Sequence, residues 1–158
     1  MSERSATKRA RGLRRRGAII LVLGALAVGP ISAQTSVGII LGEPTGLSAK
    51  QWLGEGASLD LAVAWSFLDT GSFYAHIDYQ QHFDDLDVDE GELLWFVGGG
   101  VKLSAGQELN LGVRIPIGLV YEFAEVPLEV FIEAAPGMDL FPAVQFNGGG
   151  GIGIRYRL

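Results

Sequence analysis

The sequence predicts an all-β protein: an eight-stranded antiparallel up-and-down transmembrane β-barrel, preceded by a cleaved signal peptide. Three observations lead to this fold class. The chain begins with an export signal, the rest consists of runs in which apolar and polar residues alternate, and every lysine and arginine after the signal lies on the polar side of those runs.

Residues 1–33 show the pattern of a secretory signal peptide. A basic head with seven Lys and Arg residues precedes the apolar run AIILVLGALAVGPISA, which ends in the small residue Ala33. Such a pattern predicts export and cleavage near Ala33. The run is shorter than the roughly 20 apolar residues that a spanning helix needs, so an uncleaved anchor is the less favoured reading. We therefore expect one domain, residues 34–158, of 158 − 33 = 125 residues.

Removal of the signal leaves a strongly acidic chain without cysteine. Lys plus Arg falls from 12 to 5 and Asp plus Glu from 18 to 17, so the net charge becomes 5 − 17 = −12. This balance argues against a nucleic-acid partner. With no cysteine, the chain has no disulfide to form in an oxidising compartment.

Eight runs with strand-like alternation follow, separated by segments rich in Gly, Pro, Asp and Ser. The longest, residues 109–123, has only apolar or aromatic residues at its odd positions, while its even positions include Arg114 and Glu122. Because successive side chains of a strand point to opposite faces, we expect one long strand with an apolar face and a polar face. The eight predicted strands are residues 36–42, 47–53, 59–67, 73–83, 93–103, 109–123, 128–140 and 146–158.

The polar faces predict a charged lumen. All five cations downstream of the signal share their parity with six carboxylates. A soluble barrel would place the apolar faces inside and these charges in water, which leaves a loop surface that is almost purely acidic. A membrane barrel places them inside, where paired charges are tolerable and unpaired ones are costly. The expected lumen network is Lys50, Asp60, Asp78, Lys102, Arg114, Glu122, Glu129, Glu133, Asp139, Arg155 and Arg157.

Aromatic residues are expected near both rims, as in the girdles at bilayer interfaces. With both termini in the periplasm, the predicted outer girdle is Trp65, Phe67 and Phe73, and the inner girdle is Phe83, Trp95, Tyr121, Phe123 and Tyr156. The acidic connection 84–92 then falls on the periplasmic side, where turns are usually short. Either a neighbouring strand extends into it or the barrel departs from the usual loop asymmetry.

Four segments resemble a family of small, uncharacterised outer-membrane β-barrel proteins known from spirochaetes and other Gram-negative-type bacteria. They are GIILGEPTGLSAKQWL, LGVRIPIGLVYEF, PLEVFIEAAPGMDLFP and GIGIRYRL, and the likeness covers essentially all of residues 34–158. The family is usually compared with the OmpA-like and OmpX-like barrels. The resemblance implies an eight-stranded barrel in the outer membrane, assembled by the barrel-assembly machinery, and it provides no catalytic motif. Outer-membrane barrels commonly end in Phe, whereas this chain ends in Leu158.

Candidate catalytic groups are few. His76, Asp78 and His82 share one face of the fourth predicted strand, and Ser66 lies on the neighbouring strand. A Ser–His–Asp site would resemble the lipid-modifying barrels, but triads are defined by geometry and these residue types are common. We expect instead that they join the lumen hydrogen-bond network, and we expect no enzyme activity.

No cofactor or metal site is predicted. His76 and His82 are six residues apart, about 20 Å along a strand, too far to share one ion. The acidic run 84–92 lacks the glycine at the sixth position of a calcium loop starting at Asp85, where Glu90 stands. The glycine runs 98–100 and 148–151 lie within predicted strands and lack the Lys-Ser/Thr of a phosphate loop.

The sequence therefore favours an outer-membrane barrel with a side-chain-filled lumen and a structural or surface-interaction role, in contact with outer-membrane lipid. Eight-stranded barrels have interiors about filled by side chains, so a narrow pore is less favoured. A membrane-embedded deacylase or acyltransferase, and a soluble barrel that binds an apolar ligand, remain as alternatives.

Overall fold

The computed structural model describes residues 35–54, 56–66 and 72–158, with Ser66 described by its backbone alone. The predicted signal peptide, Phe67 and residues 68–71 of the third predicted connection lie outside these ranges. Within them, no helix is long and apolar enough to cross a membrane.

The described residues form nine antiparallel strands in a closed ring, which confirms the predicted all-β, up-and-down architecture. Most strands pair with their neighbours along the chain, and the last strand pairs with the first. The strands are β1 (Thr35–Glu43), β2 (Gly46–Gly54), β3 (Ala57–Ser66), β4 (Ser72–Leu86), β5 (Glu92–Ala105), β6 (Leu109–Arg114), β7 (Ile117–Glu122), β8 (Leu128–Phe141) and β9 (Gln145–Arg157).

The predicted sixth strand, residues 109–123, is two strands rather than one, and the count is nine rather than eight. β6 ends at Arg114 and β7 begins at Ile117, with Pro116 in the gap. Proline has no backbone N–H and cannot donate to a ladder. The register with β5 nonetheless continues, since Gly100 pairs with Arg114 and Val97 with Ile117. β6 and β7 therefore occupy one position in the ring, between β5 and β8.

The acidic connection is shorter than the segment 84–92 that the sequence suggests. β4 extends to Leu86 and β5 starts at Glu92, so only residues 87–91 connect them. The ladder shifts register between Phe83 and Leu86, and Gly91 has a positive φ of 71° that closes the turn. Of the two readings left open, the extended strand is the one observed.

The two faces of the wall differ in chemistry. Large apolar side chains such as Ile115, Ile132 and Ile152 point outward and are more than half exposed. The inner face holds the buried charges together with one small apolar cluster: Ile40, Ala62, Leu94, Phe96, Val120 and Phe131, against which Trp52 packs. The core of this fold is thus the inside of the ring. The end with Thr35 and Arg157 is called the terminal end below, and the opposite end the far end.

Candidate functional site: the charged interior

The centre of the interior is built around Arg155 of β9. Its guanidinium contacts Glu129 at 3.0 Å and Asp60 on the opposite wall, and it donates to the Ser48 hydroxyl at 2.9 and 2.7 Å. The guanidinium carbon also lies 3.8 Å from the centre of the Phe131 ring. Ion pairs and stacking on an aromatic ring offset the cost of burying the charged, planar guanidinium. Arg155 therefore ties β9 to β2, β3 and β8 across the ring.

Lys50 joins this central cluster through Glu129. The ammonium lies 2.9 Å from the Glu129 carboxylate, whose other oxygen accepts a hydrogen bond from Ser36 at 3.2 Å. The Glu129 side chain is fully buried, with two cations beside it. A buried carboxylate between two cations is paired with opposite charge on both sides, which offsets much of the cost of removing it from water.

A second cluster surrounds Arg114 of β6, nearer the far end. The guanidinium lies 3.2 Å from Asp78 and within salt-bridge distance of Glu133, and it donates to the Tyr74 hydroxyl at 3.2 Å. It also lies 2.8 Å from Nδ1 of His76. The one Arg114 side chain therefore connects β4, β6 and β8.

Two further ion pairs lie toward the ends of the ring. At the far end, Lys102 pairs with Asp139 at 2.9 Å, and Asn147 bonds to both partners. At the terminal end, Arg157 pairs with Glu122 and donates to the carbonyl of Phe123. These side chains are partly exposed, unlike those of the two central clusters.

The structure brings together all eleven residues of the expected lumen network. Each of the five cations lies within 4 Å of at least one of the six carboxylates, in the four clusters just described. The sequence reasoning missed the neutral partners Ser36, Ser48 and Asn147. Their position on the inward parity of β1, β2 and β9 is the signal that could have found them.

The candidate catalytic residues are held in separate surroundings. His76 faces the interior, with Nε2 at 3.6 Å from Asp78 and 4.0 Å from Asp60. His82 lies nearer the terminal end, where Nδ1 is 3.2 Å from the carbonyl of Gly56 and the ring packs beside Trp52 and Phe96. Among the described residues, no group of three or more His, Asp or Glu side chains could hold a metal ion.

Apart from Phe67, which lies outside the described residues, the expected girdle residues are found toward the two ends. Trp65 and Phe73 pair at the far end and are exposed outward. At the terminal end Phe83 stacks on Trp95 at 4.2 Å and Tyr121 meets Phe123 edge to face at 4.8 Å. Tyr156 is exposed on β9. Two side-chain bonds fasten the acidic connection to this end: Trp95 donates to Asp85 and the Tyr121 hydroxyl to the carbonyl of Glu90.

Two cavities flank the central clusters. The terminal cavity is about 590 Å³ and is lined by Ser36, Trp52, His82, Glu122 and Arg157, among others. The far cavity is about 1220 Å³ and its lining includes Tyr74, Lys102, Asn110, Arg114 and Asn147. Among the described residues, none lines both cavities. On β9, Arg157 lines the first cavity and Asn147 the second, and Arg155 lies between them.

The architecture defines a closed antiparallel β-barrel with a polar interior. Among solved structures it is similar to the N-terminal β-barrel domain of OprF from Pseudomonas aeruginosa, with a TM-score of 0.58 and 16% sequence identity, over 77% of this chain and 96% of that chain. At this identity the likeness shows the fold alone. No family model and no curated protein matches the sequence.

Proposed function

We propose that this chain is an integral outer-membrane β-barrel of the OmpA-like type, with eight strand positions around the ring because β6 and β7 share one, a closed, charge-filled lumen and a structural or surface-interaction role. The fold likeness to the OprF barrel domain supports the outer-membrane assignment, and the signal-like residues 1–33 support export. In the expected orientation both termini and the acidic connection face the periplasm. Outer-membrane lipid and the barrel-assembly machinery are the expected partners.

The observation that carries the proposal is the inversion of the wall. Arg155, Lys50, Asp60, Asp78 and Glu129 are at most 2% exposed, whereas isoleucines and leucines cover the outer face and are often half exposed. A soluble monomer rarely exposes a contiguous apolar surface of this extent. Lipid around the ring gives both faces a suitable solvent.

The closed lumen is supported by the position of the two central clusters between the cavities. Arg155 reaches from β9 to Asp60 on β3, and Arg114 reaches from β6 to Asp78 on β4. Phe96, Val120 and Phe131 are buried together in the same interior and occupy further space there. A hydrated ion would have to displace paired, buried side chains to pass, so we expect no steady conductance.

The lipid-modifying enzyme is the alternative of a different class. It requires a catalytic histidine that reaches lipid at the wall or rim. His76 is 4% exposed and bonded to Arg114 in the interior, which counts against that role. A narrow pore is the second alternative, and the far cavity would be its outer mouth.

Thiol accessibility in outer-membrane preparations tests the membrane assignment. The chain has no cysteine, so single cysteines can be placed at Ile117, which is exposed outward, and at Ala62, which is buried inward. We expect Ile117→Cys to react with a lipid-soluble maleimide and not with a membrane-impermeant one, and Ala62→Cys to react with neither. Reaction of Ile117→Cys with the impermeant reagent in a soluble fraction would overturn the proposal.

Planar-bilayer recording tests the closed lumen. The wild-type chain should give no steady current, whereas the double variant Arg155→Ala/Glu129→Ala, which removes two side chains of the central cluster, should conduct. The double variant Ile115→Ala/Ile117→Ala on the outer face is the matched control and should stay closed. A steady wild-type current would instead support the narrow pore.

A further inference from the structure

At the far end, the β1–β2 hairpin stops short of the strands on either side of it, β9 and β3. β1 pairs with β9 only as far as Glu43 and Gly150, although β9 begins at Gln145. β2 pairs with β3 only as far as Leu47 and Val63, although β3 continues to Ser66. The described part of the wall therefore has a gap above the turn at 44–45. We call it the notch: its sill is residues 42–45, and its sides are the edges of residues 64–66 and 145–149.

The notch connects the inside of the barrel with the outside. The far cavity reaches the sill at Gly42 and Glu43 and the β9 edge at Gly148 and Gly149. A groove of about 540 Å³ on the wall is lined by the same four residues and by Pro136. A polar space inside and a surface groove outside thus meet at one opening.

The inner side of the notch offers hydrogen bonds without net positive charge. Asn110, Tyr74 and Asn147 line the far cavity, and the strand edge at 145–148 has a ladder partner on only one side among the described residues. Backbone groups left without partners are tolerated at membrane depth only where they line a hydrated cavity or meet a polar ligand. The cations there are already paired, Lys102 with Asp139 and Arg114 with Asp78 and Glu133.

The outer side of the notch is lined mainly by small apolar residues. Ala134, Pro136 and Gly150 line the groove, which lies directly beyond the outward pair Ile132 and Ile152. Gly148 leaves open space, since an added Cβ would come no closer than 4.0 Å to the neighbouring backbone. Small side chains above a band of isoleucine suit one extended hydrocarbon chain.

We propose that the notch is a lateral binding site for a single-chain amphiphile with an uncharged, hydroxylated head, such as a monoacylglycerol. The head lies in the far cavity, bonded to Asn110, Asn147 and the β9 edge, and the chain leaves through the notch along the groove. Glu43 on the sill and the paired state of both cations disfavour an anionic head. This inference rests on the proposed membrane location and adds a ligand class to it.

Photo-crosslinking tests the site with the full chain reconstituted in phosphatidylcholine vesicles. The probe is a monoacylglycerol with a diazirine in its chain, and labelled positions are mapped by peptide mass spectrometry. We expect labelling concentrated on Pro44, Thr45 and residues 145–149, above a weaker background around the apolar belt. Gly148→Phe should lose the labelling at the notch. The matched control Gly99→Phe, an outward glycine on β5 with open space beside it, should keep it.

The possible outcomes separate the two proposals. Labelling of the outward apolar residues without enrichment at the notch would overturn the amphiphile site and leave the proposed membrane barrel standing. An equal loss of notch labelling in both variants would do the same. If the protein does not associate with the vesicles and no residue is labelled, the membrane location itself is overturned. A diazirine fatty acid that labels the notch as strongly as the monoacylglycerol would overturn the uncharged head.

Discussion

Ile132 and Glu133 are neighbours on β8 and face opposite sides of the same wall. Ile132 is 55% exposed on the outside, whereas Glu133 is 5% exposed and bonded to Arg114. In a water-soluble protein these two environments would normally be exchanged. The outer face has the composition that the proposed membrane location requires, whereas charge pairing and a small apolar cluster hold the inner face together.

Removing one central charge should be the most damaging single change to the inner face. Glu129→Ala leaves Lys50 and Arg155 beside a space without a carboxylate. Loss of one partner of a buried pair typically costs about 3–5 kcal/mol, so we expect the free energy of unfolding to fall by that amount. Urea titration of folding into vesicles, followed by gel mobility, measures it.

Glu125→Ala is the matched control, because Glu125 is an exposed acid in the connection between β7 and β8. Its effect should stay within about 0.5 kcal/mol. Equal losses of unfolding free energy in both variants would mean that water screens the central cluster.

A charge on the outer face should cost nearly as much, and only in a membrane. Ile132→Lys places an ammonium beside Leu119 and Ile152, on the outer face of β8 four residues after its start at Leu128. Near the bilayer midplane such a substitution costs about 2–4 kcal/mol. The same vesicle titration measures it, with Ile132→Val as the control for loss of size. A change below about 0.5 kcal/mol, as at an ordinary exposed site, would contradict the lipid-facing wall.

Adding one methyl group to an inward glycine and to an outward glycine should affect stability differently, because only the inner face is tightly packed. A Cβ on Gly153 would lie 2.2 Å from the Phe131 ring and 2.6 Å from the carbonyl oxygen of Ile39, whereas a Cβ on Gly99 meets nothing within 4 Å. Overpacking of a filled core costs about 1–3 kcal/mol, so Gly153→Ala should destabilise the barrel by that amount.

Gly99→Ala serves as the matched variant, and its free energy of unfolding should stay at or above that of the wild type. Equal destabilisation of the two variants would show that strand conformation, and not the Phe131 contact, sets the cost.

The smallest effect is expected for the ion pair at the terminal end. The Arg157 side chain is 29% exposed, although it pairs with Glu122 and bonds the carbonyl of Phe123. Solvent screens such a pair, and exposed pairs contribute about 0–1 kcal/mol. Arg157→Gln should therefore lower the free energy of unfolding by less than about 1 kcal/mol in the same titration. A loss of unfolding free energy as large as that of Glu129→Ala would mean that the ring depends on Arg157 as strongly as on the central cluster.

The sequence predicted the faces of the wall better than the details of its ends. Alternation with a period of two is a local property, and it assigned Ile132 outward and Glu133 inward before any partner was known. The break between β6 and β7 was missed because the alternation continues through Pro116, where the apolar parity of Ile115 and Ile117 hides the missing donor. The extension of β4 to Leu86 was one of two readings that the sequence left open, because acidic residues are also common in solvated loops.

What the sequence determined by itself is which side chains face inward and that their charges nearly balance there. Which charge meets which was decided by the tertiary structure. Arg155 contacts Asp60, 95 residues away, because strand tilt and the register of ring closure set which inward positions share a level. The notch arises in the same way: the turn at 44–45 looks ordinary in the sequence, and only the ladders on both sides reveal that β3 and β9 continue past it. The local periodicity of the sequence sets which face of the wall a side chain points to. The height of that side chain along the barrel axis depends on the register of all strands in the closed ring.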